Sequence, residues 1–388
     1  MRPRLCASLF LCMGLLAPLA RCAEIDELLT TIQAVGAEGK GNVAAGKAWK
    51  ELTSKGLKAL LPTLKALDEG NFRARNWLRS AVNSLVEKAK AGKSSLPIDK
   101  LENYIVRNPN RGPGRKLAFD LIAARDPNAR DRLLPGLTND PSSGLRRAAI
   151  AYQLEKAATL LKDNKKDDAK EIYQSLLPRT RDQDQVETIA KALKPYGVKV
   201  DLAKHFGFIQ SWHVITPFDN RKGVGYAEVY PPEKEVKLDK VYDGKEKAKA
   251  KWTATTTTDT HGKVDLNEVL GKHKGAVAYA YVVIHSPKKQ PVEVRAGSIT
   301  ALKMWLNGKE IFSREEYHHG MRMDQYIGFG TLNKGRNELL LKVCQNEQTE
   351  RWAQKWQFQV RLCDHLGGAI PFRVVSPTKD ESKAGGVK

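Results

Sequence analysis

Six side chains in the C-terminal half of the chain have the types and settings expected of a ligand contact. Trp352 lies beside Arg351 in the polar stretch 346–354, and Trp305 ends a strand-like segment just before Asn307-Gly308. Aromatic faces with polar neighbours suit carbohydrate, and loops on a rigid scaffold are where binding residues usually lie. The predicted ligand-binding residues are Trp305, Tyr317, His318, Arg322, Arg351 and Trp352.

Phase along the strands separates core tryptophans from surface tryptophans. Trp356 shares the inward phase of Phe358 and Val360, which predicts that it is buried. Trp305 is out of phase with Met304, which predicts that it faces outward. An outward Trp305 serves either as a ligand contact or as a cover over the sheet, and both alternatives stay open.

No catalytic constellation is recognisable in the sequence. A glycoside hydrolase needs two carboxylates on opposite sides of one bond, and the acidic residues form no such pattern. The motifs Gly-x-Ser-x-Gly and His-Glu-x-x-His and a Gly-rich phosphate loop are missing from the sequence. We therefore predict no catalytic residues and no enzyme activity, with a glycan-active enzyme as the alternative.

Neither a metal nor a cofactor is expected. Adjacent residues on an extended chain point to opposite sides, so His318-His319 does not bind one ion, and no paired cysteines lie near it. A solvated loop explains the histidine pair. Asp219 and Asn220, with Gly223 and Gly225 nearby, leave a weak calcium alternative because that ion prefers oxygen ligands. A turn explains these residues equally well.

The first 22 residues have the pattern of a signal peptide. Two arginines precede the apolar run Leu5–Leu19, and the small residue Ala20 lies near the expected cleavage point. Lipoprotein anchoring at Cys22 is a minor alternative, although Arg21 stands where a small residue belongs. No later stretch approaches the roughly 18 apolar residues of a membrane span. We expect a secreted or periplasmic protein without a transmembrane segment.

The formal charge of the chain, +21 over 388 residues, favours an acidic partner. The basic residues are spread over both halves of the chain. Specific nucleic-acid recognition requires a concentrated basic surface with exposed aromatic side chains, so we predict no nucleic-acid partner. The expected partners are a polysaccharide or another cell-envelope component.

Residues 23–205 are predicted to form a helical domain. Leu57, Leu60, Leu61, Leu64 and Leu67 recur three and four apart, as on the buried stripe of a helix. The segment 60–64 and its flanking residues recur without a gap at an offset of 73 residues, from Leu133 onward. Because one helical hairpin cannot bury its apolar face alone, such repeats stack into a helical solenoid.

This part of the chain, over roughly residues 45–160, resembles HEAT-type repeats. The resembling features are apolar helices that end at Asp, Asn or Pro turns and are followed by a basic residue. The stretch 165–177 is more similar to a tetratricopeptide helix. The resemblance implies a surface for a protein partner, and a plain spacer is the alternative.

Residues 206–375 are predicted to form an antiparallel β-sandwich. Ala276–Ile284 is apolar in both phases and predicts a central strand covered on both faces. Asn307-Gly308 between two apolar runs predicts a tight type I′ hairpin, because both residues tolerate positive φ. Trp356–Leu362 alternates as a half-buried strand does. The polar residues 376–388 are expected to be a disordered tail.

The β-half resembles the galactose-binding-like jelly rolls that are appended to glycoside hydrolases. The resemblance spans residues 210–366 and rests on Trp-Leu-Asn-Gly at 305–308, the strand Gly335–Val343 and the closing run from Arg361 to Asp364. It implies carbohydrate or cell-wall association. Most of the resembling residues shape turns and core, so they specify fold more than ligand.

Cys344 and Cys363 remain after the signal segment, and both take the outward phase of their strands. If these two strands form a hairpin, Cys344 faces Gln357 and Cys363 faces Glu338. The Cα atoms would then exceed the roughly 7 Å limit for a disulfide. We therefore predict two free thiols.

Taken together, these patterns predict a multidomain α plus β chain that acts as an exported, non-catalytic binding or scaffold protein. The helical repeats would contact a protein, and the sandwich would bind carbohydrate or cell envelope. An accessory subunit that docks a hydrolase complex is the second hypothesis.

Overall fold

In the computed structural model, residues 17–376 are described, with side chains from residue 24 onward. The predicted signal peptide lies outside the described residues except for positions 17–22, and residues 377–388 of the predicted tail lie outside them as well. The chain divides into two compact units, Met1–Ile172 and Tyr173–Lys388.

Eleven α-helices precede the first strand in the described part of the chain. They are α1 (Ala17–Gln33), α2 (Asn42–Ser54), α3 (Leu60–Glu69), α4 (Phe72–Ala91), α5 (Ile98–Arg107), α6 (Gly114–Ala123), α7 (Ala129–Leu133), α8 (Ser143–Lys162), α9 (Lys166–Leu176), α10 (Gln183–Leu193) and α11 (Leu202–Phe206). None of the described helices is both long and apolar enough to cross a bilayer.

Leucine spacing explains the packing of α3. Leu60, Leu64 and Leu67 recur on one side of this helix, and all three are fully buried. Helix α3 packs against α4 and α6. The following helix, α4, begins after Asn71, whose side-chain oxygen accepts hydrogen bonds from the backbone N–H groups of two residues in its first turn. A buried stripe and a capped start thus set this helix pair.

The two copies of the internal sequence repeat have corresponding places in the order of elements. The first copy lies in α3, and the second covers the end of α7 and the short 3-10 turn Leu134–Leu137. Each copy is followed by a helix of 20 residues, α4 or α8. The repeat in the sequence therefore corresponds to a repeated order of elements.

Strands and three short helices make up the rest of the described chain. The strands are β1 (Ser211–Asp219), β2 (Val241–Asp243), β3 (Lys249–Lys251), β4 (Thr253–Thr256), β5 (Val264–Asp265), β6 (Ala276–Ser286), β7 (Gln290–Ser298), β8 (Ala301–Leu306), β9 (Lys309–Arg314), β10 (Tyr326–Leu332), β11 (Gly335–Gln345), β12 (Gln357–Cys363) and β13 (Arg373–Val375). The helices are α12 (Val224–Ala227), α13 (Pro231–Lys234) and α14 (Leu266–Leu270).

The strands form two main antiparallel sheets that pack on each other. A seven-stranded sheet has the order β4-β1-β6-β11-β8-β9, with β13 also paired to β6, and a four-stranded sheet has the order β10-β7-β12-β5. Side chains of both sheets share one apolar core, which includes Trp212, Met304 and Phe358. The predicted class, a helical half followed by antiparallel β-sheets, is confirmed.

Strand β6 is buried on both faces, as its sequence predicts. Ala278, Ala280 and Val282 face the core between the sheets, whereas Tyr279 and Tyr281 belong to a second core on the other face. The segment that contains α12, α13, β2 and β3 contributes aromatic and apolar side chains to that second core. We name residues 220–252 the covering segment.

Three local predictions are confirmed and one is wrong. Asn307 and Gly308 have φ values of 52° and 77° and join β8 to β9 as a two-residue hairpin. Trp356 is fully buried. Strands β11 and β12 do not form a hairpin, because β11 pairs with β6 and β8 while β12 pairs with β5 and β7. Cys344 and Cys363 are nevertheless free, as predicted.

Candidate functional site

Residues 315–325 connect β9 and β10, which form edges of the two sheets. The backbone takes positive φ at His318 and Asp324, with values of 56° and 59°. Such conformations are uncommon for residues other than glycine and mark a sharply bent connection. His318 and His319 contact different groups. His318 belongs to one surface of this connection, and His319 belongs to another.

The first surface, named the Trp352 cluster, consists of Tyr317, His318, Asn346, Arg351 and Trp352. Arg351 and Trp352 lie in a short 3-10 turn, Arg351–Ala353. Trp352 is 60% exposed. Its ring meets the His318 ring at 5.4 Å between centroids and at an angle of 85°. This edge-on contact holds the indole while much of its surface stays open to solvent.

Hydrogen bonds determine the proton positions around His318. The backbone N–H of Gln348 donates to Asn346 Oδ1 at 3.2 Å, which identifies that atom as the amide oxygen. His318 Nε2 bonds to the same oxygen and is therefore the protonated nitrogen. His318 Nδ1 is buried and has no hydrogen-bond partner among the described residues.

Tyr317 is fixed from below by a buried amide. Asn220, which is fully buried, donates from Nδ2 to the Tyr317 hydroxyl at 3.1 Å and to the carbonyl of Gln345 at 3.1 Å. Burial raises the pKa of Tyr317, so its hydroxyl stays protonated at neutral pH. Tyr317 is therefore a half-buried support of the cluster.

Asp219 and Asn220, the residues of the calcium alternative, have protein partners. The Asp219 carboxylate accepts hydrogen bonds from the Arg221 guanidinium, the shorter at 2.7 Å, and these bonds lower the pKa of Asp219. Asn220 donates from its amide nitrogen to Tyr317 and Gln345, whereas its side-chain oxygen is buried and has no hydrogen-bond partner among the described residues. No group of three or more His, Cys, Asp or Glu side chains suited to a metal occurs within the described residues.

The second surface is a cavity of about 430 Å³ between the two sheet edges, which we name the β9–β10 cleft. The rings of Phe312 and Tyr326 lie in it, 4.8 Å apart between centroids, and both pack against the core between the sheets. The cleft is lined by Phe312, Arg314, Glu316, His319, Gly320, Arg322, Gln325 and Tyr326. Aromatic rings beside polar side chains are a usual composition for a ligand site.

The structure brings together only some of the predicted ligand-binding residues. Tyr317, His318 and Trp352 meet in the Trp352 cluster, with Arg351 exposed beside them in the chain. Arg322 lies in the β9–β10 cleft instead. Trp305 is half-buried against the second core, on the face that the covering segment occupies.

His318 and His319 lie in a loop, as expected, but both residues are partly buried and their rings form hydrogen bonds with protein groups. Asn346 in the cluster, and Phe312 and Tyr326 in the cleft, were not predicted from the sequence. The sequence did carry one signal of two surfaces, because adjacent residues on an extended chain point to opposite sides. The same geometry that prevents His318 and His319 from sharing an ion places them on separate surfaces.

Comparisons with known proteins leave this chain without an assigned family. No family model matches the chain, and no curated protein matches it. A solved GH31 alpha-xylosidase from Xanthomonas citri has 9% identity and a TM-score of 0.18, covering 29% of this chain and 15% of the xylosidase. An insecticidal delta-endotoxin from Bacillus thuringiensis has 10% identity and a TM-score of 0.16, covering 88% of this chain and all of the toxin. The chain thus spans 15% of the xylosidase, and neither TM-score supports a shared fold.

Proposed function

We propose that this chain is an exported, non-catalytic binding protein whose β-half binds carbohydrate and whose helical half contacts a protein partner. The observation that carries the proposal is Trp352, which is 60% exposed and whose indole is held edge-on by His318. An aromatic face that is already fixed loses little conformational entropy when a sugar ring packs on it.

Polar groups beside the indole support a sugar ligand over a purely apolar one. Arg351 precedes Trp352 in the same turn, and its side chain is exposed. The guanidinium has several fixed N–H donors, and sugar hydroxyls accept such hydrogen bonds. The amide of Asn346 is already engaged by His318 and Gln348, so it orients the cluster more than it binds ligand.

We assign the two halves to a HEAT-type repeat and a galactose-binding-like jelly roll as part of this proposal. Support for the first comes from Arg115 in α6, which pairs with Asp140 just before α8 and so ties α6 to the start of α8. Support for the second comes from the Asn307-Gly308 hairpin and the shared core of the two sheets. Exposed apolar residues of the helical half, such as Val43 and Val106, would contribute to protein contact.

The test is binding to an array of plant and bacterial polysaccharides. Trp352→Ala should weaken binding of the recognised glycan by about tenfold or more, because a central Trp usually dominates a binding surface. Phe72→Ala is the matched control: Phe72 is 66% exposed in the helical half, and its loss should leave glycan binding unchanged.

Other outcomes would favour other functions. If the purified chain binds no polysaccharide and instead co-purifies with a hydrolase, the accessory-subunit hypothesis replaces this one. Turnover of a polysaccharide would establish a glycan-active enzyme. Equal glycan binding by Trp352→Ala and the wild type would remove the Trp352 cluster from the proposal.

A further inference from the structure

We infer that the β9–β10 cleft is a second ligand site, separate from the Trp352 cluster, which takes a sugar that carries a carboxylate. Tyr326 donates a hydrogen bond to this ligand, and Arg322 is the counter-ion of the carboxylate. The site extends the proposed carbohydrate binding to another surface, and its argument and test do not depend on Trp352.

Hydrogen bonds fix the orientation of the Gln325 side-chain amide. The backbone N–H of Ser298 donates to Gln325 Oε1 at 3.3 Å, and the backbone N–H of Arg322 approaches the same oxygen at 3.5 Å. Two approaching donors identify this atom as the amide oxygen, so the other terminal atom is the NH₂ group.

The orientation of the Gln325 amide fixes the tautomer of His319. The NH₂ group of Gln325 lies 2.8 Å from His319 Nδ1 and donates to it, and this contact is much shorter than the 3.4 Å between Nδ1 and the carbonyl oxygen of Gly320. A ring nitrogen that accepts a hydrogen bond carries no proton, so neutral His319 has its proton on Nε2. His319 Nε2 lies 3.0 Å from the Tyr326 hydroxyl oxygen and donates to it.

The tautomer of His319 makes the Tyr326 hydroxyl a hydrogen-bond donor. Its oxygen already accepts from His319, which leaves the hydroxyl proton to be donated elsewhere. Within the described part of the chain, no other group hydrogen-bonds to this hydroxyl. Burial raises the pKa of Tyr326, which keeps the proton on the oxygen at neutral pH. The hydrogen bonds from Gln325 through His319 to Tyr326 therefore leave the Tyr326 hydroxyl as a donor that faces the cleft.

The charges at the cleft favour an anionic acceptor. Arg314 is paired with Glu316 at 3.1 Å, so the formal charges of these two side chains cancel. Arg322, which is exposed, takes part in no ion pair between described residues. Arginine binds a carboxylate through two parallel hydrogen bonds. A uronic acid combines such a carboxylate with a ring that can pack on Phe312 and Tyr326, and a cavity of about 430 Å³ is of ligand-site size.

The test is calorimetric titration of the full chain with trigalacturonic acid and with its trimethyl ester. We expect the acid to bind at least ten times more tightly than the ester. Arg322→Gln should weaken binding of the acid about tenfold and leave the ester unaffected. Tyr326→Phe should weaken both ligands, because it removes only the hydroxyl donor.

A matched control makes the outcome decisive. Arg336→Gln removes one exposed arginine of the same half, which pairs with Glu338 outside the cleft, and should leave binding of the acid unchanged. Arg322→Gln decides the outcome if Tyr326→Phe lowers the melting temperature.

The inference is overturned if the acid and its ester bind equally or if trigalacturonic acid does not bind. Equal weakening by Arg322→Gln and Arg336→Gln would mean general attraction to the positive chain and would overturn it as well. Polysaccharide binding that depends on Trp352 would survive all of these results, so the two proposals fail separately.

Discussion

Lys342, whose side chain is fully buried, donates a hydrogen bond of 2.8 Å to a carboxylate oxygen of Glu233. Lys342 lies on β11 and Glu233 on α13, so this ion pair ties the covering segment to the seven-stranded sheet. The same carboxylate oxygen accepts a hydrogen bond from Tyr279. The ammonium group also lies 5.5 Å and 5.8 Å from the ring centroids of Tyr230 and Tyr279.

Removing one partner of this pair should be costly. Lys342→Met leaves the Glu233 carboxylate buried without its cation, and we expect a loss of about 3–5 kcal/mol in the free energy of unfolding. Urea denaturation followed by tryptophan fluorescence measures it. The double variant Lys342→Met/Glu233→Gln should lose less than the sum of the two single variants.

The matched control is an exposed pair in the same segment. Lys237 and Glu235 lie 2.8 Å apart with side chains 50% and 66% exposed, so Lys237→Met should leave the free energy of unfolding close to that of the wild type. If Lys342→Met and Lys237→Met have the same small effect, the buried pair does not anchor the covering segment.

The helical half contains a second buried pair with a sharper geometry. Arg115 donates from its two terminal nitrogens to the two carboxylate oxygens of Asp140 at 2.7 and 2.8 Å, and from Nε to the carbonyl of Ile105 at 2.9 Å. Arg115→Met should lower the stability of this half by about 3–5 kcal/mol. Arg115→Lys should also destabilise it, because an ammonium group cannot form the paired bonds.

Circular dichroism at a helix-sensitive wavelength during denaturation measures this loss. Arg130 and Glu155 form an exposed pair at 2.7 Å in the same half, so Arg130→Met serves as the control with an expected cost below about 1 kcal/mol. Wild-type stability in Arg115→Lys would show that charge alone, without the paired geometry, is sufficient.

The spacing of apolar residues and the residue types at turns made much of this fold predictable. The double-phase apolar run of β6 and the Asn307-Gly308 turn are local signals, and both correspond to the observed structure. The partners of β11 and β12 were not predictable, because alternation indicates which side chains share a face and gives no information on which strand lies alongside. Although β11 and β12 are adjacent in the sequence, they belong to different sheets.

The candidate site was less predictable than the fold for a related reason. Trp352 and His318 could be proposed from residue type and loop position, but their contact joins two loops that are far apart in the sequence. The cleft depends on Phe312 and Tyr326, which pack partly in the core and carry no sequence signature of a ligand contact. Long-range juxtaposition of this kind requires the sheet order.

The two free thiols should be unreactive in the folded protein. Burial raises the pKa of Cys344 and of Cys363 to about 12, so almost no thiolate is present at pH 8. We expect iodoacetamide to modify neither residue in native buffer and both in concentrated urea, as measured by peptide mapping. Rapid native alkylation of either cysteine would contradict its burial.

Stability of the β-containing unit should depend on pH through His205. This side chain lies on α11 and contacts the carbonyl of Thr180 at 3.0 Å. Burial lowers the pKa of His205 below its ordinary value of 6.5, and the nearby Arg361 and Arg181 act in the same direction while the Thr180 contact opposes them. The folded state therefore disfavours the imidazolium form.

The sign of the pH dependence follows from proton binding. Between the two pKa values of His205 the unfolded chain binds more protons than the folded chain, so stability rises with pH there. The contribution is complete above about pH 6.5 and is lost as the pH falls from 6.5 through the lower folded pKa.

His205→Gln keeps a side-chain donor for Thr180 without a titrating ring, so its unfolding free energy should fall less than that of the wild type between pH 7 and pH 5. His365→Gln replaces an exposed histidine and should follow the wild-type curve. Parallel curves for the wild type and His205→Gln in urea denaturation would show that another group causes the acid sensitivity of this unit.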